Sequence, residues 1–433
     1  MLVGLRAYGL TGLRATGLRG WGAELRIIAS SNRKAVRELL SSARIRDRAT
    51  EAGAAAIVDR VRRGGDDALR RYAREFDGLT GSTEVPQRKW ESQAEALPRD
   101  VRVAIARAAR NIRSVSKKQV PRGWRHNVSP GITVEQRVIP LTRVGCYVPA
   151  GRYPLPSSLL MTAIPARAAG VMEVIVCCPH PDAAVFAAAI AAGADRLFRI
   201  GGAHAIAAMA YGTRTVPRVD KIVGPGNRWV SAAKSLVSAD CGIDFYAGPT
   251  EILVVTASGS PAWIAADLMA QAEHDPDARA VMITTSRRHA ARVAAEIDRQ
   301  MLPGARQSIA LHGGIIICST MNEAIALAND AAAEHVVAGD ESIARRIVNA
   351  GAVFVGEWTA QAAGDYAIGS NHVLPTAGAA RFRGGLNAAD FVKLVSVQRM
   401  TKRGLSTIAK TVSTLARAEG LQGHARSIDV RQR

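Results

Sequence analysis

The sequence predicts an α/β protein built from two parallel-sheet domains, one inserted in the other. The core must be aliphatic, because 48% of the 433 residues are hydrophobic and only 5% are aromatic. Short aliphatic runs alternate with Ala-rich helical stretches, the pattern of parallel strands joined by crossover helices. The alternation occurs in two blocks. One block lies within residues 147–250, and the other is formed by the residues on both sides of that range. The outer sheet pattern is incomplete on each side, so we expect one domain to close around the other.

The N-terminal part of the chain is predicted to be helical. Residues 1–25 are excluded from this fold: Gly-Leu-Arg recurs in them and no acidic residue precedes Glu24, so we interpret them as a disordered leader or a mis-assigned start. From residue 34 to about residue 113, apolar residues recur mostly at helical spacings. The β-branched run at 132–148 then indicates sheet.

Further along, strands and helices alternate. Strands are predicted at 174–178, 196–200, 221–223, 252–256, 280–285, 314–318 and 352–355. Thr320 and Glu323 have the spacing of a capping box, which predicts a helix that begins there and ends near Glu334. We therefore predict a first α/β domain at 26–146 plus 251–390, an inserted α/β domain at 147–250, and a largely helical C-terminal arm at 391–433.

Composition limits the classes of function. The net charge is +20, which is compatible with nucleic acid or with phosphate-bearing ligands. The arginines are scattered along amphipathic helices, so we interpret a solvated basic surface and expect no nucleic-acid partner. No apolar run approaches the roughly 20 residues of a membrane span. The five cysteines show no CxxC spacing and fit a reducing compartment, so we expect a cytoplasmic protein with no membrane partner.

Gln271 and His274 form the first candidate site. Both lie on a predicted helix at 262–274, where they share a face with Asp267. An imidazole and an amide oxygen one turn apart can bind one metal ion. A histidine at a helix end can instead contact the last carbonyl groups of its own helix. The residues alone leave both interpretations open.

Glu334 and His335 form the second candidate site, directly after the helix that begins at Thr320. An adjacent carboxylate and imidazole can both transfer protons at one site, because imidazole titrates near neutral pH. An exposed surface pair is the alternative interpretation.

Asp365 and His424 are further candidates. Gly and Asn residues around Asp365 allow tight turns that could present its carboxylate as a metal ligand. A loop aspartate that caps a helix is the alternative. His424 is isolated on the C-terminal arm, where a histidine is ordinarily inert.

Two loops have a strand–loop–helix placement that suits phosphate, because glycine admits a close approach and a helix N-terminus offers free N–H groups. They are Gly201-Gly-Ala-His204 and Gly224-Pro-Gly-Asn227. Neither matches the GxGxxG pattern, although Asp220 and Asp244 lie about 20 positions further on, where that pattern has an acid. Nucleotide binding and ordinary tight turns both remain open.

Taken together, these segments resemble the histidinol dehydrogenase family. The resemblance runs from about Arg44 to Arg426. Its most specific stretches are Gly242-Ile-Asp-Phe-Tyr-Ala-Gly-Pro-Thr250-Glu251 and Gln271-Ala-Glu-His274-Asp-Pro-Asp277. It is supported by Val144-Gly-Cys-Tyr147-Val-Pro149, by residues 219–227, by Glu334-His335 and by Gly369-Ser-Asn371-His372.

The resemblance implies a homodimer with shared active sites and one Zn²⁺ per subunit. It implies that Gln271, His274 and Asp365 of one subunit bind zinc together with His424 of the partner subunit. It also implies a four-electron oxidation of L-histidinol to L-histidine through L-histidinaldehyde, the last step of histidine synthesis, with two NAD. His335 is the implied general base for the hydroxyl proton, and Glu334 activates water for the second oxidation.

The same resemblance implies two incomplete Rossmann-like domains with helical N- and C-terminal extensions, which accounts for the missing GxGxxG. The residues matching NAD contacts are Tyr147, His204 and Asn227. The residues matching substrate contacts are Thr250, Gln271, His274, Glu334, His335, Asp365, Glu419 and His424.

Three departures from the family pattern affect these expectations. His204 replaces a glutamine that contacts NAD, and Thr250 replaces a serine. The segment Pro149-Ala-Gly-Arg-Tyr-Pro154 replaces a Gly-Gly loop and resembles paralogues that oxidise sulfonated diols. The alternative function is therefore a dehydrogenase of the same mechanism for another polar alcohol, such as sulfopropanediol. An inactive nucleic-acid-binding protein is disfavoured, because the implied ligand set is intact.

Overall fold

The computed structural model describes residues 25–41, 47–149, 155–246 and 248–432. Its strands, in chain order, are β1 (Arg26–Ala29), β2 (Glu84–Val85), β3 (Trp124–Ser129), β4 (Ile132–Pro140), β5 (Arg143–Tyr147), β6 (Glu173–Cys177), β7 (Arg196–Phe198), β8 (Lys221–Val223), β9 (Gly242–Ile243), β10 (Glu251–Val255), β11 (Arg279–Thr284), β12 (Gly314–Ile317), β13 (His335–Ala338), β14 (Ala352–Val355) and β15 (Val392–Met400).

The α-helices connect and cover these strands. They are α1 (Arg33–Leu40), α2 (Arg48–Asp77), α3 (Gln87–Glu95), α4 (Arg99–Gln119), α5 (Pro156–Ala168), α6 (Ala183–Ala192), α7 (Gly202–Tyr211), α8 (Arg228–Val237), α9 (Pro261–Ala272), α10 (Arg287–Arg299), α11 (Arg306–His312), α12 (Met321–Ala331), α13 (Glu341–Ala344), α14 (Gln361–Tyr366), α15 (Lys402–Ala418) and α16 (Gln422–Asp429). None of these helices is long and apolar enough to cross a membrane.

The first sheet has the strand order β1-β12-β11-β10-β13-β14, and all its neighbouring strands are parallel. Its central strand β10 is buried along its whole length. Separate apolar clusters cover the two faces, as expected for a parallel sheet between two helical layers. From β12 to β10 the strands follow each other against the order of the chain, and β13 comes next to β10. These two neighbours are therefore far apart in sequence.

The second sheet has the order β2-β7-β6-β5-β8-β9 and is parallel except at β2. Helices α7 and α8 pack against α2 on one side of it, and α5 and α6 pack against α4 on the other. Strand β2 lies before residue 147, and β5 runs across the predicted boundary, yet both belong to this sheet. The strands are therefore not divided between the sheets at the predicted position 146/147.

A third sheet joins the C-terminal arm to the body of the chain. Strand β15 pairs antiparallel with β4, from Val392 opposite Pro140 to Met400 opposite Ile132. Strand β3 completes the order β15-β4-β3. The predicted helical arm thus begins with a long strand, which continues into α15 and α16. The β-branched residues at 132–139 do form sheet, but antiparallel.

The mixed α/β fold class with parallel sheets is confirmed, while six strands were not predicted: β1, β2, β3, β9, β13 and β15. The helix that begins after Thr320 ends at Ala331, earlier than predicted, because Ala332 takes a left-handed conformation with φ 49°. The chain then re-enters the sheet as β13. The capping pattern is present in modified form: Thr320 accepts from the Glu323 amide at 3.2 Å, and the Glu323 carboxylate accepts from the Ser319 amide at 3.0 Å.

Residues 1–24, which make up most of the predicted leader, lie outside the described residues. Residues 150–154 lie outside them as well, and they form most of the loop at 149–154 on which the sulfonated-diol alternative depends.

Candidate active site

The candidate site is centred on the amino ends of two neighbouring strands of the first sheet. Strands β10 and β13 are parallel, with Ile252 opposite His335. The residues that lead into these strands, Thr250 and Glu334, are therefore brought side by side. Sequence alone could not reveal this contact, because 84 positions separate the two residues.

Glu334 is buried and held by two donors from the neighbouring chain segment. Its Oε2 accepts a hydrogen bond from the Thr250 hydroxyl and another, at 3.0 Å, from the backbone N–H of Glu251. Burial raises the pKa of this carboxyl, although the adjacent His335 and the two hydrogen bonds oppose that effect. Glu334 is thus a carboxyl group poised for proton transfer, and the surface-pair interpretation is wrong.

His335 is buried with its two ring nitrogens in different environments. Nδ1 lies 3.1 Å from the Glu251 carbonyl oxygen, which fixes Nδ1 as the protonated nitrogen. Nε2 lies 3.7 Å from Asp365 Oδ1 and has no hydrogen-bond partner among the described residues. Burial lowers the pKa of His335, but the Glu334 and Asp365 carboxylates outweigh it and raise that pKa overall. The ring is therefore arranged to accept a proton at Nε2.

Asp365 lies within the short helix α14 and does not cap a helix, so the capping alternative is wrong. Its Oδ2 accepts from Gln361 Nε2 at 2.7 Å, and its backbone oxygen lies 2.9 Å from His372 Nδ1. Burial raises the pKa of Asp365, but the His335 and His372 rings and the Gln361 hydrogen bond lower it overall. Asp365 is therefore a carboxylate whose Oδ1 faces the reactive ring of His335.

Gln271 approaches the same point from helix α9. Its side chain is 1% exposed, and its Nε2 donates to the Thr250 hydroxyl. Its Oε1 has no partner among the described residues, although an unpaired buried amide oxygen is costly. A buried amide oxygen without a hydrogen-bond partner fits the role of a metal ligand, so Gln271 Oε1 is a candidate donor to a cation.

His274 follows the end of α9 and combines both interpretations that the sequence left open. Its Nδ1 lies 2.9 Å from the Ala270 carbonyl oxygen, the helix-end contact. A carbonyl bond at Nδ1 also orients Nε2 for a metal, as second-sphere bonds commonly do for ligating histidines. Burial mainly lowers the pKa of His372, and His335 and His274 are close enough to contribute to that shift. His274 is therefore near the Asp365 and His335 cluster.

His424 and Glu419 are not brought to this cluster within one chain. Both are exposed at the C-terminal arm, on α16 and just after α15. Helix α16 packs against α15, which packs against β15. No group of three or more His, Cys, Asp or Glu within the described ranges is arranged to hold a metal. Gln271, His274 and Asp365 offer nitrogen and oxygen donors of the kinds that zinc accepts, so they could hold such an ion together with a further ligand.

The two predicted cofactor loops lie at the carboxyl edge of the second sheet. Tyr147 ends β5, and its hydroxyl accepts from the Gly202 N–H at 3.1 Å. Burial raises the pKa of that hydroxyl. Asn227 caps α8, and its Oδ1 accepts from the Trp229 and Val230 amides at 3.0 and 3.2 Å. Its amide nitrogen is therefore the part of the side chain available to a ligand.

His204 is turned away from this edge. Its ring is 1% exposed, and Nε2 lies 2.7 Å from Asp77 Oδ2. The same carboxylate oxygen accepts from the Gly201 N–H at 2.9 Å. The direct cofactor contact implied for His204 does not fit this placement, because the contact with Asp77, at the end of α2, holds the ring in the protein interior.

Asp220 and Asp244 lie about 20 positions after the two loops, where the GxGxxG pattern has its ribose-binding acid. Both carboxylates instead accept hydrogen bonds from backbone N–H groups of this chain. Asp220 accepts from the amides of Thr142 and Arg143, and Asp244 accepts from the Gly224 amide. Asp244 is buried, so its carboxylate is not presented to a ribose.

Two residues of the site were missed by sequence reasoning. Gln361 is buried, binds Asp365, and leaves its own Oε1 without a partner in the described part of the chain. Its i, i+4 spacing from Asp365 was the available signal. His372 was quoted as part of a motif but given no role, and it contacts the Asp365 backbone and lies 3.5 Å from the Ser158 hydroxyl.

Comparison with known proteins agrees with the geometry. The sequence model of the family described as histidinol dehydrogenase matches residues 40–432. Histidinol dehydrogenase of Thermus thermophilus is 47% identical over 387 residues, covering 87% of this chain and 93% of that protein. That of Halobacterium salinarum is 46% identical over 397 residues, covering 88% and 93%. The crystal structure of histidinol dehydrogenase from Elizabethkingia anophelis superposes with a TM-score of 0.89 at 30% identity, covering 95% of this chain and 99% of that one.

Proposed function

Because the chain belongs to the histidinol dehydrogenase family, we propose that it oxidises L-histidinol to L-histidine in two NAD-dependent steps with zinc bound. The observation that carries this proposal is the hydrogen bonding of the two ring nitrogens of His335. Its Nδ1 is bound to the Glu251 carbonyl while Nε2 has no hydrogen-bond partner in the described part of the chain. A buried imidazole fixed in this tautomer is a general base.

The proposed metal residues are Gln271, His274 and Asp365, together with His424 of the partner subunit. The unpaired Oε1 of Gln271 supports this choice, because a cation would satisfy it. The bound zinc would hold and polarise the amino alcohol and imidazole of the substrate without changing its own oxidation state. Thr250 and Glu419 complete the proposed substrate contacts.

In the first step His335 takes the hydroxyl proton of histidinol at Nε2 as the hydride leaves for NAD. Asp365 and Glu334 stabilise the imidazolium that results, because both carboxylates lie within 3.7 Å of the ring nitrogens. In the second step Glu334 removes a proton from water so that the bound aldehyde is hydrated. A second hydride transfer from the hydrated aldehyde then gives the carboxylate. Retaining the aldehyde in the site protects it from side reactions.

NAD is proposed to lie at the carboxyl edge of the second sheet, where Asn227 and Tyr147 end neighbouring elements. Ligands of doubly wound sheets bind at this edge. Asn227 is the proposed direct contact through its amide nitrogen, whereas Tyr147 and His204 support the loop at Gly201 and Gly202 from behind. NAD supplies the hydride acceptor for both steps.

We further propose a homodimer in which each arm completes the site of the other subunit. The exposed positions of His424 and Glu419 support this arrangement. Apolar side chains on the arm are also exposed, among them Leu394 at 54% and Leu415 at 59%. A reducing, cytoplasmic compartment is proposed because the five cysteines are free and buried.

The test is the stoichiometry of NADH formation with L-histidinol as substrate. Two NADH per histidinol consumed, lost on chelation and restored by zinc, are expected. One NADH per histidinol, or turnover that survives thorough metal removal, would contradict the proposed mechanism. Turnover of a sulfonated diol by the zinc-loaded protein, without turnover of histidinol, would transfer the assignment to the alternative substrate.

A further inference from the structure

A buried ion pair lies behind the loop at residues 224–227, and the proposed mechanism does not use it. Lys234 lies on α8, and Asp244 follows β9; each is 3% exposed. The Lys234 ammonium contacts the Asp244 carboxylate. Removing two charges from water is costly, so such a pair is retained only where further hydrogen bonds compensate it.

These hydrogen bonds converge on one glycine. Asp244 Oδ2 accepts from the Gly224 N–H at 2.8 Å, and Lys234 Nζ donates to the Gly224 carbonyl oxygen at 3.0 Å. Asp244 Oδ1 also accepts from the Phe245 N–H at 2.6 Å. The peptide groups on both sides of the Gly224 Cα are therefore held by opposite ends of one ion pair.

Gly224 needs this support because of its conformation and surroundings. Its φ is +120°, and a Cβ added there would lie 2.1 Å from the Tyr147 carbonyl oxygen. The residue is thus pressed against the end of β5 at the point where the chain leaves β8. Three residues later Asn227 caps the N-terminus of α8. Gly224 therefore lies between Tyr147 and Asn227, the two residues that border the proposed NAD site.

Asp244 also lies at the start of the connection between the two sheets. Asp244 begins the segment that crosses from the second sheet to the first and ends at Thr250. Its carbonyl oxygen accepts from the Arg383 guanidinium, and the Gly248 N–H donates to the Thr376 hydroxyl at 2.6 Å. The side chain of Asp244 thus holds the cofactor loop, while its backbone and that of Gly248 hold the segment that leads to Thr250.

We propose that Lys234 and Asp244 are positioning residues for the cofactor: they hold the loop at 224–227 in the conformation that presents Asn227 to NAD. Neither side chain touches substrate or cofactor in this proposal. The inference rests on the proposed function, since it takes NAD to be the ligand of this loop. Preorganisation of this kind increases affinity because less ordering remains to be done on binding.

The test replaces both members of the pair, Lys234→Met with Asp244→Asn, so that no unpaired charge is buried in the variant. The matched control is Arg196→Met with Glu84→Gln, which removes another ion pair of the same sheet, with a contact of 2.7 Å, away from the loop. NAD binding to each zinc-loaded protein is measured by equilibrium titration without substrate, and hydrogen exchange of residues 224–227 is followed without cofactor.

We expect the Lys234/Asp244 variant to bind NAD about tenfold more weakly and to show a matching rise in KM for NAD. Exchange at 224–227 becomes faster, while KM for histidinol, zinc content and kcat at saturating NAD stay as in the unmodified protein. An unchanged NAD affinity, or an equal loss in the control, overturns the inference. Failure of the unmodified protein to bind NAD overturns the proposed function itself, so the two failures are distinguishable.

Discussion

The Thr250 hydroxyl donates a hydrogen bond to Glu334 Oε2 and accepts one from Gln271 Nε2. One hydroxyl therefore connects the carboxyl group proposed to activate water with the amide proposed to bind zinc. Because the Thr250 proton is committed to Glu334, Gln271 must use its Nε2 as donor, which directs its Oε1 away from Thr250. The orphaned Oε1 of Gln271 is thus a consequence of this chain of hydrogen bonds.

This relationship predicts that the hydroxyl of residue 250 matters and its methyl group does not. Thr250→Val keeps the shape but removes both hydrogen bonds, so we expect kcat/KM for histidinol to fall about 10- to 100-fold, the usual cost of losing a group that orients a metal ligand. Zinc content, measured on the same preparation, falls with it. Thr250→Ser is the matched control and keeps near-normal activity. Equal activity in the Val and Ser variants would show that the hydroxyl does not orient the site.

The sequence predicted the fold class and most strands, because aliphatic runs and Ala-rich helices follow simple periodicities. It gave no strand at β13, because the helix was predicted to continue to about Glu334 instead of ending at Ala331. What ends the helix there is the left-handed conformation of Ala332, which no local signal announces. Strand β15 was missed for the related reason that its partner, β4, is distant in sequence.

In the candidate site, too, local patterns suggested residues, but only distant contacts and the family resemblance gave them a role. Glu334, His335, Gln271 and Asp365 were each ambiguous from their local patterns, since every one had an ordinary structural explanation. Their significance came from a resemblance to a family and from contacts across the fold, such as Asp365 Oδ1 lying 3.7 Å from His335 Nε2. The placement of His204 likewise came only from the tertiary structure, which buries its ring beside Asp77.

The two proposed catalytic residues should separate the two oxidation steps. His335→Asn removes the base for the first hydride transfer, so we expect kcat to fall by about 100- to 10,000-fold. Glu334→Gln retains that base but removes one of the two carboxylates that stabilise its imidazolium, so we expect oxidation of histidinol to the aldehyde to slow only modestly. The same variant loses the group that activates water, so oxidation of added L-histidinaldehyde becomes much slower.

The measurement is single-turnover formation of NADH from each substrate. We expect Glu334→Gln to give one rapid equivalent of NADH from histidinol and a delayed second one. If both equivalents were slowed to the same extent by Glu334→Gln, Glu334 would act equally on the first step, and the assignment of separate roles would be wrong.

Asp267 gives a prediction about stability and pH. Burial on α9 raises the pKa of its carboxyl from 3.8 to about 6. In the unfolded chain this carboxyl ionises near its ordinary pKa, so the folded state loses stability as pH rises between about 4 and 6, and the full cost is present above pH 6. Asp267→Asn removes the cost, and we expect it to stabilise the protein at pH 7.5 by about 1–3 kcal/mol.

The gain from Asp267→Asn should grow between pH 4 and 6 and remain level above pH 6. Urea unfolding of both proteins across this range measures it, and Asp298→Asn, an exposed aspartate on α10, is the control. A gain that is the same at pH 4 and pH 7.5 would mean that the Asp267 carboxyl is not destabilised by burial.

The proposed sharing of sites between subunits predicts that two inactive variants restore each other. His335→Asn damages the body of a subunit, and His424→Asn damages the arm that it lends to its partner. Each variant alone should lose nearly all activity. When the two are co-expressed and form mixed dimers, one site of each mixed dimer combines an intact body with an intact arm from the other chain.

Random pairing makes half of the dimers mixed, each with one intact site of two, so about one quarter of the normal activity should return. Co-expression of His335→Asn with Glu334→Gln is the control and recovers nothing, since both changes lie in the body of the subunit. If His424 served its own chain instead, each variant chain would be inactive independently and mixing would restore no activity. Recovery therefore decides between a site built by two subunits and a site closed within one.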